Sequence, residues 1–160
     1  MGDARVKTFG HPLAALGVAL ILSACAAKPP PKPASVTGTV EASAQVNPSA
    51  SKRPSPLLIR IYELKSVATF NAADFMSLYQ RDQAELAADL VTKEEFVMSP
   101  GETKTFAKTL GADTRFLGVV AAYRDLEHAK WRSAVAVLPS QPQKMTVTAG
   151  ELAVEAAISK

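Results

Sequence analysis

From Val36 to Val46 the chain alternates without a break. Val36, Gly38, Val40, Ala42, Ala44 and Val46 fall on one side; Thr37, Thr39, Glu41, Ser43 and Gln45 fall on the other. Successive side chains of an extended chain point to opposite faces, so this period of two predicts a strand with one buried and one wet face. Leu57–Leu64 (LLIRIYEL) is apolar and rich enough in β-branched residues to predict a central strand. The period then changes. Phe75, Leu78, Tyr79, Leu86 and Leu90 recur at helical spacing, while Gln80–Glu85 carries the polar side. Asn71 suits a helix cap and Asp74 suits the positive end of the helix dipole, so the segment predicts a helix of about four turns. A Phe, Tyr and Leu stripe at that spacing reads as core rather than as a binding site. Strands resume at Glu95–Met98, Thr103–Lys108 and Arg115–Tyr123, with a Pro100-Gly101 turn after the first. Arg124–Lys130 reads as a polar hairpin loop. Trp131–Leu138 alternates again, with Trp131, Ser133, Val135 and Val137 on one side. Gln143–Thr148 and Leu152–Ile158 flank a tight hairpin at Ala149-Gly150. The pattern is mainly β: about eight strands and one inserted helical segment. Short strands with near neighbours in sequence predict an antiparallel two-sheet β-sandwich.

Between the first two strands lies Asn47–Pro56 (NPSASKRPSP), with three prolines, three serines and the adjacent cations Lys52 and Arg53. Such residues favour turns and exposed backbone, so this is a surface loop.

The beginning of the chain follows another logic. Arg5 and Lys7 precede an apolar run, Leu13–Leu22, that is too short for a membrane-spanning helix. Leu22-Ser23-Ala24-Cys25 resembles a bacterial lipobox. In such signals the chain is cut before the Cys, whose sulfur and new amino group are acylated. Residues 1–24 are then a lipoprotein signal peptide. The alternatives are an uncleaved anchor with an incidental Cys and a soluble secretory leader. Ala26–Pro33 (AAKPPPKP) lacks many backbone donors and has fixed φ angles, so 25–35 reads as a lipidated Cys25 and a Pro-rich tether. A PxxP ligand is the alternative for that stretch. Residues 36–160 form the folded domain.

Composition narrows the chemistry. The 160 residues are 48% hydrophobic and 21% charged, an ordinary globular balance. Eighteen Lys and Arg against fifteen Asp and Glu give only +3, too weak a field to imply nucleic acid. The single Cys excludes an intramolecular disulfide and a multi-cysteine metal site. Once the leader is removed, His128 is the last imidazole, and it sits in a charged loop beside Asp125 and Glu127. There is no GxSxG, HExxH, Gly-rich phosphate loop or CxxC. The sequence therefore predicts no catalytic residue, no metal site and no cofactor beyond covalent lipid on Cys25.

The order of these features resembles a known family. After Cys25 come Asn47-Pro48 and Pro54-Ser55-Pro56 leading into Leu57–Lys65. Phe70, Asp74-Phe75, Leu78-Tyr79, Pro100-Gly101-Glu102, Leu117–Arg124 and Trp131-Arg132 follow. In this order they resemble the type VI secretion outer-membrane lipoproteins called TssJ, SciN or VasD. The resemblance implies a transthyretin-like sandwich with a helical segment after the second strand. It implies a lipid-anchored protein on the periplasmic face of the outer membrane. Its partner would be the periplasmic carboxy-terminal region of TssM, and through it TssL; its job would be tethering, not catalysis. The loop between the first two strands is a main contact in that family, which points to Asn47, Lys52, Arg53, Pro54 and Ser55. The charged 125–130 loop is the competing contact. A periplasmic lipoprotein that binds a small ligand or an envelope polymer is the alternative function.

Overall fold

The computed structural model describes Gly2 and residues 33–160. Cys25, the leader apart from Gly2, and the tether before Pro33 lie outside the described residues. Among the described residues there are eight strands: β1 (Ser35–Ala42), β2 (Leu57–Leu64), β3 (Leu90–Met98), β4 (Thr103–Thr109), β5 (Phe116–Ala121), β6 (Arg132–Ala136), β7 (Pro142–Ala149) and β8 (Val154–Ser159). They form two four-stranded sheets in the orders β4-β1-β7-β8 and β3-β2-β5-β6. All pairs but one are antiparallel. The exception to the antiparallel expectation is β1 with β7, which run parallel with Val40 opposite Val147. A parallel pair needs a long crossover, and here the whole of the second sheet, with β4, lies between the two strands.

Inward faces of the two sheets make the main core. β1 keeps the expected alternation, with Val36, Gly38, Val40 and Ala42 buried. Gly38 is required by a close approach: the Phe106 ring of β4 lies over it, where a Cβ would overlap the ring. The strand ends at Ala42, short of the predicted Val46. The Ser43 hydroxyl accepts from the Gln45 amide (3.1 Å), and the Val46 amide bonds back to the Ser43 carbonyl (3.1 Å). This local side-chain turn competes with the ladder. Val46 is still buried, whereas Ala44 is exposed.

The helical insertion explains why β2 is apolar on both sides. Leu57, Ile59 and Ile61 face the sandwich. Tyr62 and Leu64, with Val120 of β5, face the other way and join Phe70, Ala73, Leu78 and Leu86 in a second cluster. The insertion is two helices, not one: α1 (Ala68–Ala72) and α2 (Phe75–Leu86). Asp74 caps α2 by accepting from the Ser77 amide (2.9 Å), so Asn71 falls inside α1 instead of capping. Extended backbone at Ala73 separates the helices. Ala87 has φ 41° and ends α2 at Leu86, so Leu90 opens β3 rather than extending the helix.

Two arginines fasten this insertion to the sheet. Backbone at Arg81 leaves the helical region, and the Gln83 amide turns to the Asp82 carboxylate. The Tyr79 carbonyl, freed there, accepts from Arg60 (2.7 Å), which also pairs with Glu95 (2.7 Å). Arg132 donates to the Phe70 and Ala73 carbonyls (3.1 and 2.8 Å). Charged donors thus satisfy helix-end carbonyls that would otherwise go unpaired.

Candidate functional site

One end of the sandwich gathers the loops that the sequence singled out. The β1–β2 loop is ordered by its own hydrogen bonds. The Ser49 amide donates to the Arg53 carbonyl and the Lys52 amide to the Ser49 carbonyl, each at 2.8 Å. The Ser49 hydroxyl accepts from the Arg53 amide (3.2 Å) and lies 3.0 Å from the Ser51 hydroxyl. The closed turn is tight enough to hold Lys52 at φ 62°. Polar side chains next to the backbone are what make such turns.

The candidate residues divide into two groups. Lys52, Arg53 and Pro54 are exposed at the tip. Asn47 and Ser55 are buried, at 3% and 8% exposure, so their side chains face inward. The Asn47 carboxamide donates from Nδ2 to the Pro56 carbonyl (2.7 Å) and accepts at Oδ1 from the Arg124 amide (2.8 Å). The Asn47 amide donates to the Glu151 carbonyl (3.1 Å). Ser55 returns its amide to the Val46 carbonyl (3.1 Å), closing the base of the loop.

The competing 125–130 loop is not a separate place. Pro48, Ser49 and Lys52 line a groove of about 420 Å³ together with Arg124, Asp125 and Leu152. Tyr123 is buried and donates its hydroxyl to the Gly150 carbonyl (3.2 Å). The Lys130 amide bonds the Leu152 carbonyl, and the Val154 amide bonds the Lys130 carbonyl (2.8 and 2.9 Å). The β5–β6 loop is therefore fixed to the β7–β8 turn, and both adjoin the β1–β2 loop. The Asp125 carboxylate lies 2.8 Å from His128 Nδ1. That contact, with a smaller contribution from the Lys52 charge, holds the Asp125 carboxyl below the usual carboxylate range. His128 thus has a local partner on an exposed rim.

Arg124, Asp125 and Leu152 belong to this surface through tertiary placement. Their sequence signal is weak: a polar hairpin and a leucine after Ala149-Gly150. Among the described residues no group of three or more His, Cys, Asp or Glu is placed to hold a metal. The rim can supply cations, a carboxylate, hydroxyls and a Pro-stiffened backbone, which is chemistry for meeting another surface.

Comparison with known proteins places the fold. The family described as "Type VI secretion lipoprotein, VasD, EvfM, TssJ" matches residues 34–152. The T6SS lipoprotein TssJ1 from Pseudomonas aeruginosa is 38% identical with a TM-score of 0.77, covering 80% of this chain and 98% of that one. Serratia marcescens Lip, described as a membrane bound component of the Type VI Secretion System, is 28% identical with a TM-score of 0.71. That match covers 80% of this chain and 97% of Lip. A chain in a structure of the type VI membrane complex shares the fold at 24% identity and a TM-score of 0.63, over 79% of this chain and 98% of that one. Comparison with curated protein sequences returns no match. The family is one of membrane-machine components, not enzymes. With the family matched over residues 34–152 and the fold shared with TssJ1 at 38% identity, this chain belongs to the type VI secretion lipoprotein family.

Proposed function

We propose that acyl chains on Cys25 hold this chain on the periplasmic face of the outer membrane, and that its sandwich binds the periplasmic carboxy-terminal region of TssM. Through TssM it would reach TssL, so that the type VI secretion membrane complex is tethered to the outer membrane. The observation that carries the reading is the loop end. A self-bonded β1–β2 loop presents Lys52, Arg53 and Pro54 beside a groove shared with Arg124, Asp125 and Leu152. An ordered loop loses little entropy on docking, and an exposed Arg53 suits bidentate contact with carboxylates.

Titration calorimetry against a periplasmic TssM fragment tests it. Replacing Lys52-Arg53-Pro54 by Gly-Ser-Gly leaves the buried Ser55 in place, so the melting temperature should stay within a degree or two. The dissociation constant should rise more than about tenfold, the effect of losing one interface anchor. Replacing Glu127 and His128 by alanine probes the other rim. Wild-type affinity in both variants would remove TssM docking from this end of the molecule.

A further inference from the structure

We propose that Asn47 is the positioning residue of the docking end: its buried carboxamide ties the base of the β1–β2 loop to the β5–β6 loop, and its backbone amide ties the same point to the β7–β8 turn, which together set the arrangement a partner meets. The inference rests on the docking reading above and adds the device that presets it. Three observations carry it. Asn47 is 3% exposed, and burying its carboxamide is costly unless both the donor and the acceptor are paired. Its polar groups go to three different segments: Nδ2 to Pro56, Oδ1 to Arg124 and the amide to Glu151. Its φ is 49°, a region that asparagine tolerates far better than most residues with a side chain.

Few side chains meet these demands together. The first bond needs a donor, the second an acceptor on the same short side chain. Aspartate keeps the acceptor but sets an oxygen against the Pro56 carbonyl. Alanine strands both the Pro56 carbonyl and the Arg124 amide, and a buried group without a partner is costly. Glycine keeps the backbone conformation and loses both bonds. Lys52 and Arg124 flank the groove from opposite loops, so letting the loops drift apart changes the surface itself. A partner would then have to order the loops as it binds.

The test uses the full lipoprotein in detergent, with Asn47→Ala, Asn47→Asp and Asn47→Gly. Hydrogen exchange at the Arg124 amide, exchange at sheet amides such as Val119 and Val147, and affinity for the TssM fragment are read in each. In Asn47→Ala and Asn47→Gly the Arg124 amide should lose protection, the sheet amides should keep theirs, and affinity should fall more than tenfold. Asn47→Asp retains the acceptor for Arg124, so it should recover both Arg124 protection and part of the affinity. An unchanged Arg124 amide in Asn47→Ala overturns the proposal, and so does wild-type affinity despite a loosened loop. Sheet amides losing protection in parallel would also overturn it, because Asn47 would then be a general stability residue. If the wild-type chain itself fails to bind the fragment, the docking reading falls, and the exchange data alone decide whether Asn47 locks the three loops.

Discussion

Glu63 shows what a single residue adds that the pattern cannot. Alternation along β2 places it on the same face as Leu57, Ile59 and Ile61, so an acid is directed into the sandwich, where it is 2% exposed. Its partners come from the opposite sheet and the β4–β5 connection: Lys108 (2.7 Å), Thr114 (2.7 Å) and the Gly111 amide (2.9 Å). The inward acid is legible in the sequence; the lysine 45 positions away is not, because only the packing of sheet on sheet brings them together. Asn47 repeats the lesson. Sequence marks it as part of the partner loop, and long-range hydrogen bonds turn its side chain inward. Burial pushes the Glu63 carboxyl up, but the bonds from Lys108, Thr114 and Gly111 outweigh it and leave the group below its ordinary 4.5. A carboxyl depressed on folding stabilises the fold above its unfolded value, and that gain is lost as pH falls through the folded value. The urea midpoint should therefore hold from about pH 7 to about pH 5 and decline below about 4.5. Lys108, which burial lowers and Glu63 and Glu94 raise by more, predicts a second decline above its ordinary 10.5. Glu63→Gln should be less stable at neutral pH and show a shallower acid limb. An acid limb as steep as that of the wild type would assign it to other carboxylates.

Among elements, strand existence and order follow directly from periodicity, while pairing and exact ends do not. All eight strands overlap the segments expected to be strands, although β3 begins at Leu90 rather than at Glu95. The parallel partnership of β1 and β7 spans about a hundred residues and leaves no local trace, since neither strand's own pattern encodes its neighbour. The helix was legible as a change of period. Its division at Ala73 was not, because the deciding feature is a competition between two caps, which Asp74 wins. The same insertion changes the meaning of Val120. In RFLGVVAAY it reads as generic core; in the fold it lies under Phe70 and Leu78, on the face of β5 away from the sandwich interior. Val120→Asp would bury a carboxylate in this apolar cluster; the cations opposite it in register, Arg60 and Arg132, are already committed to Glu95 and to helix carbonyls, so the cost should be about 3 kcal/mol. Circular dichroism melting should show a domain that is unfolded or strongly destabilised. Melting like the wild type would mean that α1 and α2 do not seal that face.

For the whole molecule, direction is the consequence that matters. β1 begins at Ser35, next to the tether, and runs for eight residues to Ala42 at the loop end. At the strand rise that is roughly 26 Å. The tether thus joins one end of the sandwich, and the loops around Asn47 occupy the other. Only nine residues lie between Cys25 and Ser35, a reach of at most roughly 35 Å when fully extended. An anchor on Cys25 would keep the near end within that reach of the bilayer. Anchoring and docking then separate experimentally. On the proposed anchoring, Cys25→Ser removes the acyl acceptor, and without two or more chains attachment is marginal. In cells, secretion should fail, while the purified variant should bind the TssM fragment with wild-type affinity, because no docking residue has changed. Ala26 stands where an Asp after the Cys would retain such a lipoprotein in the inner membrane, so the wild type should travel with outer-membrane markers in a density gradient. Incorporation of labelled palmitate into the Cys25→Ser protein would overturn the assignment of the acylated residue. Loss of fragment binding by that variant in solution would show that the anchor and the docking end are not independent.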